Sequence, residues 1–268
     1  MAHGFELSEK LLRINPEAAA ERLTALLKRF VEQAQASCAV VGLSGGVDSS
    51  VVAKLAVEAL GKDRVVGVSM PEKETVNLRD VEDAGRFAGR LGIRYFLVDI
   101  SDPLKAVSET VPVFNPSSLL AKGNLKARMR MLVLYYFANR LQGVVLGTGN
   151  RSEILTGYFT KHGDGASDVL PLGGLYKTQV YQLAAYLDIP PQILRKTPSP
   201  GLWPGQTDEG ELGIRYQTLD LVLYGLERGL SPRLVARRLG LPLKTVLRVC
   251  SLKASSEHKR SHIPILMV

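Results

Sequence analysis

The segment with the most evident chemistry is Ser44-Gly-Gly-Val-Asp-Ser49, a glycine-rich turn between an apolar run and a stretch of helical character. Its glycines let the backbone approach a ligand, and the first amides of the following helix favour an anion. The hydroxyls of Ser44 and Ser49 can bond phosphate oxygens. A carboxylate beside a phosphate repels it unless a cation lies between them, so Asp48 is predicted to bind Mg²⁺. The alternative is a glycine turn in which Asp48 only caps the helix.

Two further groups of residues could meet a phosphate ligand. Thr148 and Glu153 follow another apolar run, and a second carboxylate there could share a cation with Asp48. The alternative for Glu153 is an acid at the start of a helix, where it complements the dipole. Among the lysines, Lys161 and Lys177 lie in glycine-rich stretches, where backbone and ligand approach closely, whereas most lysines are solvated surface charges.

Hydrophobic periodicity indicates the elements that must position these residues. Short apolar runs predict buried parallel strands, and apolar residues at helical spacing predict the helices between them. The predicted strands cover residues 38–43, 65–70, 95–98 and 144–147, and the predicted helices cover 7–36, 49–60, 76–91 and 124–141. This alternation predicts an α/β fold with a doubly wound parallel sheet of about five strands and extra C-terminal helices. Ligands of such sheets bind beyond the carboxyl ends of the strands, where the loops after the first, second and fourth runs lie.

The Ser44–Ser49 loop resembles the pyrophosphate loop of the N-type ATP pyrophosphatases, and the chain as a whole resembles ammonia-dependent NAD synthetase within that superfamily. Seven more stretches carry the resemblance, in the family's order and spacing. They are Gly123–Met131, Gly147–Glu153, Gly157–Gly165 followed by Asp168, Leu175–Lys177, Lys196–Gly201, Asp208-Glu209 and Glu257–Arg260.

The resemblance implies a reaction and a set of roles. Deamido-NAD would be amidated by ammonia at the expense of ATP, through an adenylate, giving NAD, AMP and pyrophosphate. The implied ATP-binding residues are Gly42, Leu43, Ser44, Gly45, Gly46, Val47, Asp48, Ser49, Thr148, Lys177 and Ser199. The implied Mg²⁺ ligands are Asp48 and Glu153, the deamido-NAD residues are Arg128, Lys161, Asp168, His258 and Lys259, and the catalytic residues are Asp164 and Lys177. Ser199 stands where the family often has threonine, and it keeps the hydroxyl. Asp164 would accept a proton from ammonia, although a plain turn aspartate is the alternative.

The domain organisation follows from the same comparison. Residues 1–268 are expected to form one domain, with an ATP-pyrophosphatase core over 37–200 and a substrate-contacting helical segment over 208–268. No stretch of glutaminase size precedes residue 37, so the expected nitrogen source is free ammonia or ammonia from a separate partner. The resemblance also implies a homodimer. Residues 196–210 are rich in proline and glycine, and we expect them to act as a mobile lid.

The charge distribution raises a competing hypothesis. The formal net charge is +8, and the excess lies after residue 227, where Ala236, Gly240 and Val246 have the spacing of a helix-turn-helix. Pro242 would start the second helix, however, and few polar side chains there could read bases. We therefore expect no nucleic-acid partner. The alternatives kept open are a tRNA-modifying enzyme of the superfamily and a non-catalytic nucleotide- or DNA-binding protein.

Cysteine content and hydropathy bear on the compartment. Cys38 and Cys250 are isolated and lack metal-ligand spacing, which favours a reducing cytoplasm. No apolar run approaches the roughly 18 residues that a membrane-spanning helix needs, and residues 1–10 do not resemble a signal peptide. We expect a cytoplasmic protein without a membrane partner.

Overall fold

A parallel sheet forms the centre of the molecule, described by a computed structural model for residues 6–261 and 264–266. Its strands are β1 (Ala39–Gly42), β2 (Val65–Ser69), β3 (Arg94–Leu97) and β4 (Val144–Leu146). The strand order is β3-β2-β1-β4, and every pairing is parallel. Since the chain runs outward from β1 to β3 and then returns to the other side of β1, the doubly wound topology predicted from the sequence is confirmed.

The described part of the sheet has four strands, one fewer than the approximate number predicted. A single parallel bridge between Val169 and Leu146 takes the place of a fifth strand. The amide of Gly147 donates to the Val169 carbonyl at 2.9 Å, and the amide of Asp168 donates to the Val145 carbonyl at 3.0 Å. Pro171 follows two residues later and lacks the amide that a longer ladder would need.

Helices cover both faces of the sheet and continue past it. They are α1 (Pro16–Gln33), α2 (Val47–Leu60), α3 (Leu78–Leu91), α4 (Ser101–Thr110), α5 (Leu119–Arg140), α6 (Arg151–Thr156), α7 (Lys177–Tyr186), α8 (Pro191–Leu194), α9 (Asp208–Leu212), α10 (Tyr216–Glu227), α11 (Pro232–Leu239), α12 (Leu243–Ser255) and α13 (Glu257–Arg260). The described residues contain no helix that is long and apolar enough to cross a membrane.

The first helix differs from its prediction. Residues 7–36 do not form one helix, because a 3-10 turn over Glu9–Leu12 precedes a break, and α1 begins only at Pro16. Proline is tolerated in the first turn of a helix but not in its interior, and the Asn15 side chain caps the new start by accepting from the Ala18 amide at 3.1 Å.

The apolar core has three parts. One lies between the sheet and the helices α1, α2 and α7, and a second lies on the opposite face, under α4 and α5. The third belongs to the C-terminal helices, where Leu219, Val222, Val235 and Val246 are fully buried. The two helices with helix-turn-helix spacing, α11 and α12, therefore use their apolar faces to pack on each other and on α10.

Candidate active site

The carboxyl ends of the strands open into a cavity of about 710 Å³. The glycine-rich loop lies on one side of it and the predicted lid on the other. Each of the eleven residues predicted to bind ATP lines this cavity. The tertiary structure therefore brings Asp48 together with Lys177 and Ser199, both of which lie more than a hundred positions further along the chain.

The conformation of the glycine-rich loop explains its composition. Gly45 has a φ of +78°, and a Cβ at this position would lie 2.3 Å from the backbone oxygen of Asp80, so a larger residue does not fit. Gly46 caps α2, and Asp48 and Ser49 are already in its first turn. The free amides of that turn consequently face the cavity, as anion binding requires.

The hydroxyl groups of the glycine-rich loop form hydrogen bonds within the loop itself. The Ser44 and Ser49 hydroxyls are 3.2 Å apart, the Gly46 amide donates to the Ser44 hydroxyl at 3.2 Å, and the Ser49 hydroxyl donates to the Gly46 carbonyl at 3.1 Å. A phosphate that enters the loop would have to replace these bonds with bonds to its own oxygens.

Asp48, Glu153 and Lys177 meet at the floor of the cavity. The Lys177 ammonium forms an ion pair with Asp48 and lies 3.7 Å from a Glu153 carboxylate oxygen. Asn150 is the fourth residue of this cluster, because its side-chain amide donates to Asp48 at 3.2 Å. Lys177 is the first residue of α7 and is almost completely buried. One buried cation thus holds two carboxylates, from the first turns of α2 and α6, next to each other.

Glu153 has the contacts of an acid at the start of a helix and also faces the Lys177 ammonium. Its carboxylate accepts from the backbone amide of Asn150 at 3.1 Å in a capping box at the start of α6, while its other oxygen faces Lys177. Burial and the neighbouring Asp48 charge raise the pKa of Glu153. Burial alone would lower the pKa of Lys177, but the two carboxylates outweigh it and raise that pKa. Lys177 therefore stays protonated, and the cluster has one ammonium group for two carboxylates.

Asp164 lines the same cavity and belongs to the exposed residues of the chain. One carboxylate oxygen accepts from the Thr160 amide, four residues earlier in the chain, at 2.9 Å and so ties the two ends of the 160–164 turn together. The surrounding protein raises the pKa of Asp164, because it removes water from around the charged form. The residue closes a turn and also presents a carboxylate with raised proton affinity to the cavity.

The residues predicted to bind deamido-NAD form a separate group beside the cavity. Lys161 lies within the 157–165 loop, and Arg128, His258 and Lys259 contact that loop. Arg128 donates to the Lys161 carbonyl at 3.2 Å, and the Lys161 ammonium donates to the His258 carbonyl at 2.6 Å. The half-buried Lys259 donates to two carbonyls of the same loop, those of Gly157 and Phe159, at 2.7 Å each.

Asp168, the fifth residue of the group, lies near the end of β4. It accepts from the Val145 amide at 2.7 Å and from the Tyr135 hydroxyl at 3.3 Å. None of the five lines the cavity wall.

The segment predicted to be a lid covers the cavity in this structure. Pro198 and Asp208 close it into a loop through a backbone bond of 3.1 Å, and the Ser199 hydroxyl donates to the Gln206 carbonyl at 2.7 Å. Leu202 and Trp203 pack on Gly123 of α5, where a Cβ would lie 3.1 Å from each of them. The Ser199 hydroxyl therefore belongs to the cavity wall but has to turn before it can meet a phosphate.

Sequence reasoning did not assign several side chains that line or adjoin the site. Lys196 ties the lid to the start of α3 through Asp80 at 2.6 Å and Asp83 at 2.7 Å, and it also donates to the Gly45 carbonyl at 3.0 Å. Asn150, Arg130 and Asp208 were likewise missed as site residues. All four residues lie within stretches that carry the family resemblance, which was the available signal.

Comparisons with known proteins agree with this geometry. The family model for NAD synthase matches residues 19–263. The NH(3)-dependent NAD(+) synthetase of Methanocaldococcus jannaschii is 50% identical over 92% of this chain and 96% of that protein, and the one of Methanopyrus kandleri is 50% identical over 94% and 92%.

Solved structures show the same relationship. The NMN synthetase of Francisella tularensis superposes with a TM-score of 0.84 at 35% identity, over 95% of this chain and 99% of that one. The NH3-dependent NAD synthetase of Campylobacter jejuni superposes with a TM-score of 0.80 at 29% identity, over 95% and 100%. Since the family model spans the sheet, the cavity and the C-terminal helices, the chain belongs to the NAD synthase family.

Proposed function

We propose that this protein is a carbon–nitrogen ligase that amidates deamido-NAD with ammonia, consuming ATP and releasing NAD, AMP and pyrophosphate. The observation that carries the proposal is the cluster of Asp48, Glu153 and Lys177 next to an anion-binding loop, in a chain of this family. A site that only binds nucleotides does not need two carboxylates beside the phosphates.

Asp48 and Glu153 are proposed to hold Mg²⁺. They fit this role because both are carboxylates, both line the cavity beside the phosphate loop, and both already share one buried cation, the Lys177 ammonium. When bound, Mg²⁺ would neutralise the charge that develops on the departing pyrophosphate.

The residues of the chain are proposed to act in two steps. In the first, the nicotinate carboxylate oxygen bonds to the α-phosphorus of ATP, and the bond from that phosphorus to the bridging oxygen breaks. The α2 amides, Thr148, Lys177 and Ser199 would orient the phosphates. In the second, the ammonia nitrogen bonds to the acyl carbon, the bond from that carbon to the AMP oxygen breaks, and Asp164 accepts the proton that nitrogen loses. The raised pKa of Asp164 makes its carboxylate a stronger proton acceptor than an ordinary aspartate.

We further propose that the dinucleotide lies along Arg128, Lys161, Asp168, His258 and Lys259. The four basic side chains suit a ligand that carries a pyrophosphate. The proposed division of the chain is the one expected above, an ATP-pyrophosphatase core over 37–200 and a C-terminal segment over 208–268 in a single domain. A cytoplasmic location stays a prediction.

A homodimer is also proposed, and an exposed apolar surface supports it. Leu132 and Tyr136 lie one turn apart on α5 and are 59% and 68% exposed. Phe96 and Leu97 on the edge strand β3 continue the surface, since the Phe96 ring lies 5.1 Å from that of Phe137 on α5. Sedimentation should show a dimer, and Tyr136→Asp should shift it toward monomer, because the charge would be buried in the contact. A wild-type monomer at micromolar concentration would contradict this part of the proposal.

The decisive experiment mixes the protein with ATP, Mg²⁺, ammonium and deamido-NAD and measures NAD, AMP and pyrophosphate in equal amounts. Asp48→Asn and Glu153→Gln should each reduce NAD formation by orders of magnitude while the fold survives. Near-normal turnover in either variant, with normal Mg²⁺ dependence, would remove that residue from the metal site.

Two alternative substrates complete the test. Because a similar structure is that of an NMN synthetase, the corresponding nicotinic acid mononucleotide is offered in place of deamido-NAD. A higher kcat/KM for the mononucleotide would make NMN the product. Glutamine is offered in place of ammonium, and comparable turnover with it would contradict the ammonia-dependent assignment.

A further inference from the structure

A completely buried carboxylate lies behind the active site and has no part in the reaction proposed above. It belongs to Asp220 in the middle of α10, within the C-terminal helical segment. An ionised group without access to water needs hydrogen-bonding partners for both oxygens, so its contacts show what it holds in place.

Both oxygens of Asp220 are bonded to the segments that carry the cavity's charged residues. One accepts from the Ser152 hydroxyl at 2.5 Å, and the other accepts from the Thr178 amide at 2.9 Å. Ser152 directly precedes Glu153 in α6, and Thr178 directly follows Lys177 in α7.

The Ser152 hydroxyl closes the network, because it also accepts from the backbone amide of Lys177 at 2.9 Å. The first amides of a helix have no partner within the helix. Within residues 6–261 and 264–266, the Lys177 amide donates to Ser152 and the Thr178 amide donates to Asp220, and neither has another partner. The bonds therefore determine where α7 starts relative to α6, and with it the separation of the Glu153 carboxylate from the Lys177 ammonium.

The C-terminal segment holds the other end of α6 as well. Arg260 donates to the carbonyls of Ile154 and Leu155 at 3.1 Å each. Gly157, which ends the helix with a φ of +68°, lies so close to Ser256 that a Cβ would be 2.0 Å from its side chain. A helix of six residues is too short to be stable alone, so its position depends on these contacts.

We propose that Asp220 is a positioning residue, whose carboxylate holds the first turns of α6 and α7 together so that Glu153 and Lys177 face one cation and one set of phosphates. The inference rests on the proposed function for its kinetic consequence only. The network itself can be tested without any turnover.

The test compares Asp220→Asn and Ser152→Ala with Val222→Ala. An asparagine keeps the shape of Asp220, but its NH₂ group cannot accept a hydrogen bond, so the Ser152 hydroxyl loses the acceptor for its proton and the network loses its negative charge. Val222 lies on the same helix and is equally buried but contacts apolar neighbours, so its truncation is a control for a general loss of packing.

The first readout is hydrogen exchange of single amides. In both network variants the amides of Lys177 and Thr178 should exchange at least tenfold faster than in the wild type, at a temperature where the protein is fully folded. In Val222→Ala they should exchange at the wild-type rate after correction for global stability. Unchanged exchange at both amides in Asp220→Asn would overturn the proposal.

The second readout is kinetic. Loss of a residue that orients metal ligands typically costs roughly 10- to 100-fold in metal affinity or activity. Asp220→Asn should therefore lower kcat and raise the Mg²⁺ concentration for half-maximal rate, with KM for deamido-NAD within about twofold of wild type. Val222→Ala should change only the unfolding midpoint.

Combining Ser152→Ala with Asp220→Asn should lower kcat by much less than the product of the single effects, because both remove the same network. Independent effects, or a normal kcat and Mg²⁺ dependence in folded Asp220→Asn, would refute a positioning role. If the wild type makes no NAD at all, the proposed function fails, while the amide exchange still decides whether Asp220 holds the two helices.

Discussion

Replacing Lys177 with methionine tests whether the cluster on the cavity floor is held together by charge. Methionine keeps an unbranched apolar side chain of similar length, so the main loss is the ammonium group. The Lys177 side chain is 3% exposed, and those of Asp48 and Glu153 are 17% exposed each. Without the lysine, two partly buried carboxylates face each other with only Asn150 as a neutral donor.

The magnitude follows from this burial. Removing one partner of a buried ion pair costs about 3–5 kcal/mol, because the remaining charge has lost its compensation. The free energy of unfolding falls by about 3 kcal/mol per molar urea, so the urea concentration at the unfolding midpoint should fall by roughly 1–1.7 M. The assay is urea unfolding followed by circular dichroism in the presence of EDTA.

The matched control is Lys54→Met. Lys54 pairs with Glu58 at 3.2 Å one turn along α2, and both side chains are about one-third exposed. Such helix-surface pairs contribute only about 0.3–0.5 kcal/mol. If Lys177→Met in EDTA is no more destabilising than Lys54→Met, the charge explanation of the cluster is wrong.

Two further measurements refine the result. In an Asp48→Asn background the same Lys177→Met change should cost less than half as much, because one of the two carboxylates has gone. Added Mg²⁺ should stabilise Lys177→Met more than the wild type, since a divalent cation can supply the missing positive charge. An equal effect of Mg²⁺ on both proteins would count against a metal between Asp48 and Glu153.

Three other predictions concern the lid, the basic tail and acid stability. ATP with deamido-NAD should slow proteolysis within residues 196–210 and alter the emission of Trp203, the sole tryptophan, whereas equal cutting with and without substrates argues against a lid. Lys259→Ala should raise KM for deamido-NAD roughly tenfold to a hundredfold, because a charge-assisted hydrogen bond contributes about 1.5–3 kcal/mol, and KM for ATP should stay nearly constant. Unaltered kinetics together with tight duplex binding by the wild type would favour the DNA-binding alternative instead. Burial alone would raise the pKa of Glu227, but bonds from Arg151 and Tyr176 hold it below its ordinary value of 4.5. The unfolding midpoint of Glu227→Gln should therefore lie below that of the wild type at pH 7. The difference should shrink as the pH falls below 4.5 and vanish below the lowered pKa of folded Glu227, whereas a constant difference would refute the role of ionised Glu227.

Local patterns in the sequence were sufficient to predict the positions of the strands. The strands β1, β2 and β4 coincide with apolar runs, because strands buried on both faces have few polar residues. The edge strand β3 was also predicted, although three of its four residues are exposed. The same reasoning missed α4, and it extended the first helix across Pro16 although Asn15 and Pro16 are a local start signal for α1.

The sequence by itself determined the loop, the family and the residue types of the site. These are properties of neighbouring positions, since the glycine-rich loop, its carboxylate and its hydroxyls all lie within the six residues from Ser44 to Ser49. Only the tertiary structure decided that Lys177 bridges Asp48 and Glu153, that Lys259 bonds the loop that carries Asp164, and that Asp220 lies behind them. The reason is that each of these contacts joins segments separated by tens of residues, and their separation in space depends on how the helices pack around the sheet rather than on any local pattern.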